Sequence, residues 1–243
     1  MKIAVAGGTG VVGRKVVEEV ARTGHEAVVL SRSNVDLTTG EGLDEALSGC
    51  EAVIDVSNGP AWTREEVERF FTATTTNLLD AAERAGVRHV VVLSIVGADE
   101  VDLDYYFGKR RQEALVTAGR VPWTVLKATQ FFEFPGQVLA QAAGPVVQVP
   151  AMLSQPVATE DVAARLVELA VGEPQGFALP IAGPERLRVV DMARQLVARL
   201  GDDLRVEEAE GGPAGLATGG LTPKGEYTEG KRTYAEYLAS VGG

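Results

Sequence analysis

A chain of 243 residues with 45% hydrophobic content is long enough for one domain with a substantial core, and one compact unit is expected. Its formal net charge of -11 repels polyphosphate backbones, and with no basic run to oppose it the composition argues against nucleic acid as a partner. One cysteine, Cys50, and two histidines, His25 and His89, leave neither a disulfide framework nor a soft-ligand metal cluster, and an N-terminal strand in place of a signal segment, with no apolar run near about 20 residues, predicts a cytoplasmic protein with no membrane span.

The strand expected at Lys2 to Ala6 runs straight into Gly7-Gly8-Thr9-Gly10-Val11-Val12-Gly13. A chain that must reverse tightly and bring its backbone within hydrogen-bond distance of a pyrophosphate needs glycine there, because a Cβ would obstruct both steps. The helix expected over Val11 to Arg22 aims its unpaired amides and positive dipole end at the phosphates, and Gly13 lets helix and strand pack closely. Glycines that follow a strand and open a helix predict a dinucleotide site at Gly7, Gly8, Thr9, Gly10, Val11 and Val12.

Further strands are expected at Ala27 to Leu30, Ala52 to Val56, His89 to Leu93 and Thr124 to Leu126, separated by helices at about Glu65 to Ala85 and Phe107 to Thr117. Gly24, Gly49, Gly86 and Gly119 punctuate the helix-to-strand returns. Short β-branched runs alternating with amphipathic helices predict an α/β fold on a doubly wound parallel sheet, with ligands at the carboxyl ends of the strands. Beyond about Phe131 prolines divide the chain, leaving helices at Glu160 to Val171 and Val189 to Leu200 and a glycine-rich segment, Gly211 to Gly220, that reads as a mobile loop. Residues from about 131 to 243 are expected to form a small substrate-binding region of a single domain spanning 1–243.

GGTGVVGR at the start, LSRS after the second strand, VDL at Val35 to Leu37, DVSN at Asp55 to Asn58, NLLDAAERAGVRHVVVLSIVG from Asn77 to Gly97, YYFGKRRQE from Tyr105 to Glu113 and PWTVLKATQFFE from Pro122 to Glu133 together resemble the short-chain dehydrogenase/reductase superfamily, in its atypical, NmrA-like branch. The resemblance covers nearly the whole chain. It implies a Rossmann domain that binds NAD(P)H along the strand ends, with Val56, Ser57 and Asn58 beneath the middle of the cofactor and Asp36 and Leu37 in a turn against the adenine. Ser57 and Asn58 equally suit an ordinary turn.

NAD-specific sites place an acid at the tip of the second strand for the ribose 2′-hydroxyl. Here the tip is Ser31-Arg32, and a hydroxyl with a guanidinium suits a 2′-phosphate, so NADP(H) is favoured over NAD(H). Asp36 competes for the ribose role.

Tyr105 and Lys109 stand four apart and would share a helical face, while Ser94 closes the strand before them. This is the layout of a Ser-Tyr-Lys reductase site. A carbonyl that accepts hydride needs a proton on oxygen, and a phenol of pKa about 10 is helped by a neighbouring ammonium. In this reading Tyr105 is the acid, Lys109 supplies the charge and holds the nicotinamide ribose, and Ser94 binds the substrate oxygen. Gly108 weakens the helix and leaves Tyr106 as the alternative acid. Phe131 is either core or a cover for the nicotinamide.

An NADPH-dependent oxidoreductase acting on a small carbonyl, quinone-like or similar apolar compound is therefore expected. The alternatives are a redox-sensing regulator that binds NADP(H) without turnover and a non-redox isomerase or cyclase. Oligomeric state is not set by the sequence.

Overall fold

The computed structural model describes residues 1–59 and 63–242. In chain order the elements are β1 (Lys2–Ala6), α1 (Val11–Arg22), β2 (Glu26–Leu30), α2 (Leu43–Ala46), β3 (Ala52–Asp55), α3 (Arg64–Arg84), β4 (His89–Ile95), α4 (Asp104–Ala118), β5 (Trp123–Ala128) and α5 (Phe134–Leu139). Then follow β6 (Val146–Val149), β7 (Leu153–Ser154), α6 (Thr159–Val171), β8 (Gly176–Phe177), β9 (Ile181–Ala182), β10 (Leu187–Arg188), α7 (Val189–Leu200), β11 (Arg205–Glu208), β12 (Thr228–Glu229) and α8 (Tyr234–Ser240). Contacts divide the chain into two compact units, Met1–Ser94 with Leu103–Lys127 and Val162–Leu179, and Ile95–Asp102 with Ala128–Asp161 and Pro180–Gly243.

The first unit is an α/β fold whose sheet runs β2-β1-β3-β4-β5, with β8 joined to β5. The pairings of β1 with β2 and β3, of β3 with β4, and of β5 with β8 are parallel. From β1 the chain first winds one way, to β2, and then back past β1 to β3, β4 and β5. The order therefore reverses between β1 and β3, and the loops leaving those two strands flank the crevice where such sheets bind ligands.

Alternation along each strand covers both faces of this sheet. On one face Ala4, Ala6, Val53, Val90, Val92 and Val125 pack with Leu78, Ala81 and Ala82 of α3 and Val116 of α4. On the other, Val29 of β2 meets the α1 side, where a Cβ placed on Gly8 would lie 2.9 Å from Val29 and 3.4 Å from Val17. The α3 N-terminus is fixed by a reciprocal Thr63–Glu66 capping box.

The α4 helix begins at Asp104, three residues before the start that propensity predicts. Gly108 lies inside it because α4 and α3 approach closely there. A Cβ at Gly108 would sit 2.6 Å from the Phe71 ring and 3.0 Å from Val67, so the residue that weakens the helix locally is the one that permits its packing.

In the second unit β6 pairs with β11 and β9 with β12 in parallel, while β7 and β10 are antiparallel. Its glycine-rich segment is anchored. Leu216 and Leu221 are buried, Leu153 N donates to Leu216 O at 3.1 Å, and Gly97 packs so tightly on Gly220 that a Cβ would lie 1.9 Å from the Gly220 oxygen. Phe132, Tyr234 and Tyr237 form an aromatic cluster with centroid separations of 5.4 to 5.7 Å. Among the described residues no helix is long and apolar enough to cross a membrane.

Candidate dinucleotide and active site

Gly7 takes φ +78°, and Gly10 N donates to its carbonyl at 2.9 Å, so the chain turns within four residues before α1 starts. The close packing needs glycine at three positions. A Cβ on Gly7 would lie 2.8 Å from Ser57 Cα, one on Gly8 3.1 Å from Val5 O, and one on Gly13 2.0 Å from Gly7 O. The β1 and β3 loops thus touch at the reversal of strand order. The first-turn amides of Val11, Val12 and Gly13 have no intrahelical acceptors, and no acidic side chain occupies that turn. Val11 is 42% exposed and Thr9 is exposed, as suits a surface to be covered by a ligand.

At the β2 tip, Ser31 N donates to Asn34 Oδ1 at 2.9 Å and Asn34 Nδ2 donates to Val29 O at 3.0 Å. Asn34, which sequence reasoning passed over, thereby pins the turn that displays Ser31 and Arg32. Arg32 is exposed, with no hydrogen bond or ion pair among the described residues. Asp36 is engaged locally: its Oδ1 accepts from Thr38 Oγ1 at 2.6 Å and from Thr38 N at 2.8 Å, and the hydroxyl, then the amide, holds its carboxyl below the usual range. Leu37 O accepts from Asn77 Nδ2 at 3.0 Å, tying this loop to α3.

Beyond β3, Val56 is half-buried, Ser57 is buried and Asn58 is exposed. Asp55 Oδ1 accepts from Ser57 N at 2.8 Å. The Ser57 hydroxyl is buried without a partner among the described residues, an unsatisfied donor beside the Gly7 turn. Glycine cradle, free helix amides and orphaned hydroxyl all fit a dinucleotide.

The helical start at Asp104 puts Tyr105 and Lys109 on one face of α4. Tyr105 OH donates to Asn58 Oδ1 at 3.0 Å, whereas Tyr106 is 4% exposed and makes no such bond. Burial, then the neighbouring Tyr106 and Asp55, push the Tyr105 phenol well above its ordinary pKa. It is a neutral donor at neutral pH.

Lys109 does not bond Tyr105. Its ammonium lies 4.8 Å above the Phe71 ring and donates to Gln112 Oε1 at 2.6 Å. Burial pulls its pKa from 10.5 down to about 8, against the opposing pull of Asp55 and Glu113.

The Ser94 hydroxyl donates to Glu113 Oε1, and Glu113 Oε2 lies 3.2 Å from Lys127 Nζ. Glu113 was legible as a candidate, standing one helical turn beyond Lys109, but its partners Ser94 and Lys127 were not. Phe131 belongs to the second unit, where it bridges Val157.

The sequence matches the family described as NAD(P)H-binding over residues 7–172. The chain belongs to that family. It is 32% identical over 231 residues to the (4-alkanoyl-5-oxo-2,5-dihydrofuran-3-yl)methyl phosphate reductase of Streptomyces griseus, covering 85% of this chain and 76% of the relative. The fold is similar to that of an NADPH-dependent quinone oxidoreductase from Escherichia coli in complex with NADPH, with a TM-score of 0.76, 18% identity and 98% of each chain covered. A Citrobacter triphenylmethane reductase in complex with NADP(H) is similar at a TM-score of 0.63 and 18% identity, over 86% of this chain and 80% of that one. The family match and the reductase relative agree with the oxidoreductase expected from the sequence.

Proposed function

We propose that the protein uses NADPH to reduce a small carbonyl or quinone-like compound in which the acceptor is conjugated to a carbonyl. The Tyr105–Asn58 hydrogen bond at the switch-point loop carries this reading, because it holds a neutral phenol at one fixed position beside the cofactor crevice. Bound NADPH supplies the hydride. Tyr105 donates to the oxygen on which negative charge develops and passes it a proton. With no ammonium bonded to it, Tyr105 is a weak acid, which suits acceptors that spread charge over a conjugated system better than simple ketones. Lys109 remains the group to hold the nicotinamide ribose, and Ser57 a donor beneath the cofactor. Ser94, committed to Glu113, is assigned a supporting role to α4 in place of the substrate contact expected from its position.

The relative from Streptomyces and the quinone oxidoreductase of similar fold are named for compounds consistent with this class. NADPH oxidation against quinones, α,β-unsaturated carbonyl compounds and simple aldehydes is the test. Faster turnover of unconjugated aldehydes than of every conjugated acceptor would overturn the proposed substrate class.

NADPH is expected to bind about tenfold or more tighter than NADH, the value of a charge-assisted hydrogen bond from Arg32 and Ser31 to the 2′-phosphate. Arg32→Glu should erase or reverse the preference in a calorimetric titration. Equal affinities in the unmodified protein would show that the β2 tip does not read the phosphate.

A further inference from the structure

Lys109 is 4% exposed, and among the described residues its ammonium donates to the side chain of Gln112, itself fully buried. The other end of that amide settles its orientation. Gln112 Nε2 donates at 2.9 Å to Asp55 Oδ2, and an ionised carboxylate can only accept, so the amide oxygen must face the lysine. Asp55, 1% exposed on β3, then accepts from Ser57 N at 2.8 Å. An unbroken run of ammonium, amide, carboxylate and backbone N–H thus ends in the loop that carries Asn58, the acceptor of the Tyr105 hydroxyl.

We propose that Gln112 and Asp55 are positioning residues that hold Lys109 in one orientation, so that the β3 loop controls both the lysine and the tyrosine of the site. An ammonium buried against the Phe71 ring loses its hydration, and an opposing charge reached through a polarised amide offsets part of that loss. Among the described residues the charged groups facing Lys109 are Asp55 from β3 and Glu113 from its own helix; Glu113 is already engaged by Ser94 and Lys127, which leaves Asp55 the larger influence. Burial wins overall and pulls the lysine down to about 8. The charged form is the one below that value, so a rate that needs the ammonium falls as pH rises through it.

The value of this arrangement to catalysis rests on the function proposed for Lys109, but its existence can be measured without substrate. With only six lysines in the chain, ¹³C-lysine NMR of the whole protein resolves Lys109, assigned by its loss in Lys109→Arg. Its midpoint is expected below those of the other lysines and shared by the side-chain amide signals of Gln112 and the backbone amide of Ser57. In Asp55→Asn, which removes the facing charge, and in Gln112→Leu, which breaks the run of hydrogen bonds, it should fall by about one unit. A Gln112 signal that ignores the Lys109 midpoint, or variants that leave that midpoint in place, overturns the relay. The alkaline limb of kcat/KM, which reports the free enzyme, should move with the NMR midpoint. A relay seen by NMR with an unmoved limb sustains the positioning role toward Lys109 and removes Lys109 from the proposed chemistry.

Discussion

Tyr105→Phe is expected to lower kcat by about 100-fold or more, within the range for loss of a general acid, while NADPH affinity stays within about twofold. The phenol reaches Asn58 at the mouth of the crevice, and its removal takes away a proton donor without disturbing the glycine turn. Stopped-flow turnover and NADPH titration separate the two quantities. Tyr106 is buried and serves as packing, so Tyr106→Phe should retain turnover. Full activity in Tyr105→Phe with loss in Tyr106→Phe would reassign the acid.

Gly13→Ala should abolish measurable NADPH binding and cost more than about 2 kcal/mol of stability, the upper part of the range for overpacking. The new methyl would lie 2.0 Å from Gly7 O and 2.7 Å from Gly8 Cα, and both obstacles are backbone that cannot rotate away. The β1 turn must therefore open, and the first-turn amides move off the position that faces the phosphates. Gly144→Ala is the control, since nothing lies within 4 Å of a Cβ there. Thermal melts and calorimetry read both effects, and unchanged NADPH binding in Gly13→Ala would falsify the glycine cradle as the phosphate site.

Much of the first unit was legible because its signals are local. The turn after β1 announces itself by glycines in a fixed order after an apolar run, and the limits of α1 and α7 agree with apolar spacing to the residue. Tyr105 and Lys109 were also legible, since a separation of four is enough to place two side chains on one helical face. The short strands from β6 to β12 were not. At two to four residues, they are shorter than any hydrophobic period can define, and their partners lie elsewhere in the chain.

By itself, then, the sequence determined the cofactor turn, the alternation of strands and helices, and the helical face that bears the phenol and the ammonium, because each follows from backbone geometry over a few neighbouring residues. Only the tertiary structure decided what those groups do to one another. Gly108 reads as a helix breaker until Phe71 is seen to fill the space a Cβ would need. Ser94 reads as a strand-ending hydroxyl, and only the fold shows that Glu113, 19 residues on, accepts its hydrogen bond. Lys109 reads as the partner of Tyr105 until Gln112 joins it to Asp55, 57 residues away from that glutamine. A hydrogen bond between residues so far apart in the chain leaves no periodic mark on either segment; burial selects it, because an unpaired polar group in the core costs more than the bond is worth at the surface.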